Sequence, residues 1–91
     1  MVGQFVRSKA GHDKDTVYVV IAEEGDFVML CDGRLKPLAN PKKKRRKHVQ
    51  PMCETVARDI LEALKNGTVC DEQIKYAIKQ RVGGNVCLKV M

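Results

Sequence analysis

Two hydrophobic rhythms divide the chain. Up to about residue 50, apolar residues alternate with polar ones or gather in short β-branched runs, interrupted by Gly, Pro, Asp and Asn; from Glu54 onward they recur every three to four positions. The first rhythm predicts strands. Gln4 to Lys9 is the first, with Phe5 as its inward candidate, and a polar loop over residues 10–15 follows, centred on Gly11. Thr16 to Ala22 (TVYVVIA) is the strongest strand pattern; a turn at Glu24-Gly25 leads into Asp26–Cys31. Asp32-Gly33 has the composition of a two-residue hairpin turn, and Arg34 to Leu38 alternates as a fourth strand, placed at an edge because Pro37 has no amide to donate. A last strand is expected over Lys47–Gln50.

Pro51 marks a break, after which the period changes. Val56, Ile60 and Leu64, with Ala57 and Leu61 beside them, form one face of a helix that starts near Glu54 and stops at Asn66-Gly67. Ile74, Ala77, Ile78 and Val82 define a second helix over 71–82, capped either by Asp71 or by Thr68 with Asp71 three residues later, and ended by Gly83-Gly84. The tail from Asn85 alternates Val86, Leu88 and Val90, as a short strand or a loose end. Four or five short strands in so small a span cannot bury both faces of a flat sheet. They can close into a small, highly bent SH3-like barrel; a split four-stranded sheet packed on the helices is the alternative. The expected fold is therefore α+β: a barrel over residues 1–50 and a C-terminal pair of short helices over 51–91. Neither helix is long enough to persist alone in water, so the pair either covers an open face of the barrel or docks on a partner protein.

Charge changes the picture more than composition does. The chain carries a formal net charge of +6, and residues 41–48 read PKKKRRKH. The six consecutive cations Lys42, Lys43, Lys44, Arg45, Arg46 and Lys47 account for the whole excess, since basic and acidic residues balance elsewhere. A localised patch of this kind serves a polyanion. The first 20 residues include Gln4, Arg7, Lys9, Asp13 and Lys14 and no apolar stretch of signal-peptide type, and no run is long enough to span a membrane, which predicts a soluble, cytoplasmic protein. Cys31, Cys53, Cys70 and Cys87 lack the short spacing of a zinc half-site and read as reduced, small apolar side chains; no metal or other cofactor is expected. His12, Asp13, Cys31 and Cys53 have catalytic side-chain types, but a barrel this small leaves little room for a cleft and no catalytic motif is present, so catalysis is not expected.

Four uses compete for the basic run. It would pass as a nuclear import signal, but any dense basic run does. A membrane anchor needs apolar neighbours, and Leu38 and Val49 are too few and too far apart. A solvated, mutually repelling segment is the bland reading. Against it, the run is internal, a loop held at both ends between strands, so its charges are presented from a fixed scaffold. Phosphate binding fits best, because Lys offers a point charge and Arg a planar fork without demanding base identity. With all six engaged on single-stranded RNA, the log–log salt slope would be about −4. His48 either stacks on a base or packs on the barrel rim. Phe5, Tyr18 and Phe27 alternate like core residues, so few aromatics remain to stack on bases and recognition by shape and phosphates is expected.

The segment from Val6 to Asp15 (VRSKAGHDKD), followed by Val17-Tyr18-Val19-Val20-Ile21, resembles a KOW motif: a strand, a loop with a central glycine and a basic residue, then an apolar strand. Asp32-Gly33-Arg34, Pro41-Lys42-Lys43-Lys44 and Lys47-His48-Val49 follow in order. Together they resemble bacterial KOW-domain RNA-binding proteins related to small KOW-containing proteins of the archaeal and eukaryotic large ribosomal subunit, over residues 3–50. The resemblance implies an SH3-like barrel that binds structured RNA, typically ribosomal RNA of the large subunit, without catalysis. It places Gly11 at the motif's central glycine and Lys14 at its basic position, with Lys9 on the same loop; Asp15 stands where a glycine is usual. Asp32 and Gly33 would shape a second loop, and Lys9, Lys14, Arg34 and Lys36 would extend the surface made by residues 42–48. The rival expectation is a protein-interaction module of the transcription or translation machinery, docking through the C-terminal helices, with ribosomal proteins as possible partners.

Overall fold

The computed structural model describes the backbone of residues 1–9, 11, 14–33 and 36–90, and the side chains of these up to Gln80. Gln4–Ser8 (β1), Val17–Glu24 (β2), Phe27–Cys31 (β3), Lys42–Arg45 (β4) and Val49–Thr55 (β5) form one antiparallel sheet in the order β4-β3-β2-β1-β5. Two helices follow, Arg58–Asn66 (α1) and Asp71–Val90 (α2). The protein is thus a small α+β fold with a five-stranded sheet and two helices.

The connectivity forces the sheet to curl. β4 and β5 are its two outer strands, yet only a 3-10 turn, Arg46–His48, joins them. In a flat sheet they would lie roughly 19 Å apart. A three-residue turn rises about 6 Å. A contact across the interior shows the same closure: Lys44 Nζ on β4 donates to Ser8 Oγ on β1 at 2.6 Å, although β2 and β3 intervene in the sheet.

Strand alternation then makes two cores. Val6, Tyr18, Val20, Val28, Leu30 and Val49 point into the curl and pack on one another. Their sequence neighbours Phe5, Val19 and Cys31 point outward, where Val56, Ile60, Ile74 and Ala77 cover them. The helical segment therefore completes the outer core. Close packing fixes where it meets the sheet: a Cβ on Gly33 would run into the Asp71 carbonyl oxygen and the Lys75 amide at the start of α2. Asp71 accepts a hydrogen bond from the Leu38 amide at 2.7 Å, tying the same helix end to the loop before β4.

Several sequence expectations change. The basic run is not a loop: Lys42–Arg45 pairs with Leu30–Phe27 as strand β4, an edge position where lysines discourage further strand addition. The fourth strand expected from Arg34 is absent over Lys36–Leu38, while Arg34 and Leu35 lie outside the described residues. Asp32 closes a loop there instead of a two-residue hairpin. Its carboxylate accepts from Lys36 N at 2.9 Å and its own amide donates to Lys36 O at 3.0 Å, so these groups are used within the loop. The turn after β2 is Gly25-Asp26, because Glu24 still pairs with Phe27.

Pro51 is no break; β5 passes through it. It sits in an outer strand beside a register shift on β1, where a missing amide donor is tolerated. The pairing of Thr55 with Gln4 holds the chain extended, so α1 starts at Arg58 and not near Glu54. Its end is as expected: Thr68 N donates to Ala63 O and Gly67 N to Leu64 O, a Schellman motif. Neither Asp71 nor Thr68 caps α2. Cys70 occupies the capping position, its amide accepted by Gln73 Oε1 at 3.0 Å, which frees Asp71 to hold Leu38. α2 continues through Gly83-Gly84 to Val90, since glycine costs a helix about 1 kcal/mol but, unlike proline, removes no hydrogen bond.

Candidate nucleic-acid interface

Because the basic run is a strand, its charges are sorted by face. Lys43 and Arg45 point outward and are exposed; Lys42 and Lys44 are half-buried on the opposite face. Lys44 reaches the buried Ser8 hydroxyl. Lys43 Nζ lies 4.7 Å and Arg45 Cζ 5.3 Å from the centre of the Phe27 ring, so two cations share one aromatic side chain. Phe27 is half-buried on β3, directly opposite Arg45. It was expected in the core by alternation, and alternation does place it on the same face as Cys31. The helices bury the Cys31 end of that face, and the cationic side chains overlie the Phe27 end.

Arg46 is committed to the fold. Its guanidinium meets Glu23 Oε1 at 2.7 Å, its Nε donates to Gly25 O at 2.8 Å, and its amide donates to Asp26 O at 2.8 Å. Glu23 also receives the chain's first ammonium group at 3.2 Å. The Arg46 hydrogen bond is the main cause holding the Glu23 carboxyl below its ordinary value of 4.5. Lys47 is exposed and His48 half-buried on the 3-10 turn.

The turn is joined to the first loop, since Lys9 N donates to His48 O at 2.9 Å. Lys9 is therefore brought to the Lys47–His48 turn, and the exposed Lys14 lies on the same β1–β2 loop. Gly11 and Asp15 both have left-handed backbones there, φ 90° and 73°, with Asp15 N bonded to Ser8 O at 2.8 Å. The aspartate thus adopts the conformation a glycine would supply. Lys36 belongs to a different place, in the Asp32–Gly33 loop against α2. Arg34 lies outside the described residues.

Sequence reasoning missed the partners that sort these cations: Ser8, Glu23 and Phe27. The available signal was strand alternation, which separates Lys43 and Arg45 from Lys42 and Lys44 once the run is read as a strand. Elsewhere, a groove of about 440 Å³ lies between the end of β5, α1 and α2, floored by Phe5, Ile60 and Ala77 and flanked by Tyr76, which is 59% exposed. Among the described residues no His, Cys, Asp and Glu side chains cluster as metal ligands, and no helix is long and apolar enough to cross a membrane. No family model matches the sequence, and no curated protein matches it either.

Proposed function

We propose that this chain is a non-enzymatic, cytoplasmic RNA-binding protein of KOW/SH3-like type that grips folded RNA, ribosomal RNA in the first place, through its phosphates. The observation that carries the reading is the fixed outward row Lys43 and Arg45 on β4, continued by Lys47. Charges held by a paired strand lose less freedom on binding than charges on a loose segment. The curled five-strand order, with a single short turn between its outer strands, supports the barrel half of the reading. So do the left-handed Gly11 and Asp15 in the loop that resembles the KOW motif.

The expected engagement is smaller than the run's length implies. Arg46 is held by Glu23, Lys44 by Ser8, and Lys42 is half-buried on the same face as Lys44, leaving Lys43, Arg45 and Lys47 as the main phosphate ligands. Three phosphate contacts give a log–log salt slope of about −2 on a single strand and about −3 on a duplex, the range expected for folded RNA. Replacing Lys43, Arg45 and Lys47 together by Gln is expected to remove the protein from ribosomal particles in co-sedimentation at low salt while the unfolding midpoint stays within a few degrees. Undiminished co-sedimentation of that triple variant overturns the proposal. The groove beside Tyr76 favours a second reading, protein docking through the helices, in which nuclease treatment would leave partners bound.

A further inference from the structure

Lys43 and Arg45 are two residues apart on one strand, so their side chains leave the same face about 6.7 Å from each other. Their charges repel, yet both side chains fold over the same ring of Phe27. The negative face of an aromatic ring attracts cations, by about 0.5–1 kcal/mol at exposed sites. Phe27 is the cross-strand partner of Arg45, and Lys43 stands on the adjacent diagonal, so the arrangement follows from register rather than from a chance rotamer. Long cationic side chains otherwise sample many rotamers that must be given up when they bind, and one ring restricts both.

We infer that Phe27 is a positioning residue for the nucleic-acid site: it holds Lys43 and Arg45 as a prearranged pair addressed to neighbouring phosphates of one strand. This rests on the RNA-binding reading above. The two side chains leave the strand about 6.7 Å apart and converge on one ring, with their charged ends within 4.7 Å and 5.3 Å of its centre, so both charges are presented from a single small patch, and nothing in the arrangement reads a base. Arg45, with its planar fork, takes one phosphate in a bidentate fashion; Lys43 supplies a point charge to the next.

The test keeps charge constant and changes only the ring. Binding of the 91-residue chain to a ribosomal RNA fragment is measured for wild type, Phe27→Leu, Phe27→Trp and chains carrying progressively fluorinated phenylalanine at position 27. Fluorination empties the ring face of negative potential with little change of shape, so it separates cation attraction from packing. Phe27→Leu is expected to weaken binding about five-fold, equivalent to roughly 1 kcal/mol, with an unchanged salt slope because the same phosphates are contacted. Phe27→Trp is expected to restore it, and affinity should fall steadily with fluorination. Flat affinity across the fluorinated series overturns the inference, and that series stays informative even if the leucine variant fails to fold. The Lys43, Arg45 and Lys47 triple variant separates the two claims. Loss of binding in the triple with a flat ring series sinks only the role of Phe27, whereas full binding by the triple sinks the RNA site itself.

Discussion

Gly33 illustrates how one residue ties two parts of the molecule together. Its φ of +76° already disfavours any side chain, and a Cβ there would overlap the backbone of Asp71 and Lys75. Gly25 has φ +56° with open space around it. Gly25→Ala should therefore cost only the left-handed backbone, about 1–2 kcal/mol. Gly33→Ala should cost more than that and shift the start of α2, as denaturant titrations of the two variants will read; equal losses would refute the packing argument. The cysteines give a second contrast. Cys31 is buried against the helices, while Cys53 and Cys70 are exposed. At pH 8 an alkylating reagent should label Cys53 and Cys70 quickly and reach Cys31 only on unfolding, as peptide mass mapping would report. Burial is the main reason the Cys31 thiol is pushed up from 9.0 to about 11. An unfolded chain ionises this thiol first, so the folded state keeps its full advantage below pH 9 and loses it as pH rises toward 11.

Strands β1, β2 and β3 were legible because each alternates on its own: Phe5 against Val6, Val19 against Val20, and Cys31 against Leu30 face opposite sides. β4 was not, because nothing local distinguishes Lys42–Arg45 from a solvated loop. Its extended form comes from pairing with residues more than ten positions away in β3, and its lysines suit an edge. The same non-local logic placed Asp71. Local pattern made it a helix cap, whereas Gln73 serves Cys70 and leaves the Asp71 carboxylate to the Leu38 amide at 2.7 Å. A hydrogen bond to a charged acceptor contributes about 1.5–3 kcal/mol. Asp71→Ala should therefore lower stability by about 2 kcal/mol and speed hydrogen exchange at the Leu38 amide above all others in that loop. Exchange at Leu38 no faster than in wild type would show that the loop does not depend on α2.

The whole molecule is where the strand and helix readings had to be joined, and sequence left that join open: the helices were either a lid or a docking arm. In the structure their side chains Ile60, Ile74 and Ala77 share one core with Phe5, Val19, Cys31 and Val56 of the link before α1, while the inner core of Val6, Tyr18, Val20, Val28, Leu30 and Val49 closes without them. Two cores stacked on the two faces of a single curled sheet cannot be independent, because both hang on the same strands. A chain ending after Ala57 would retain all five strands but uncover Phe5, Val19 and Cys31. Domains this small are already marginal, since they bury a modest share of their surface. The shortened chain should therefore bind a hydrophobic dye and lose its cooperative thermal transition. Should it unfold cooperatively near the full chain's midpoint, the inner core alone would suffice for stability. The helices would then be free to serve the docking role that the groove beside Tyr76 offers.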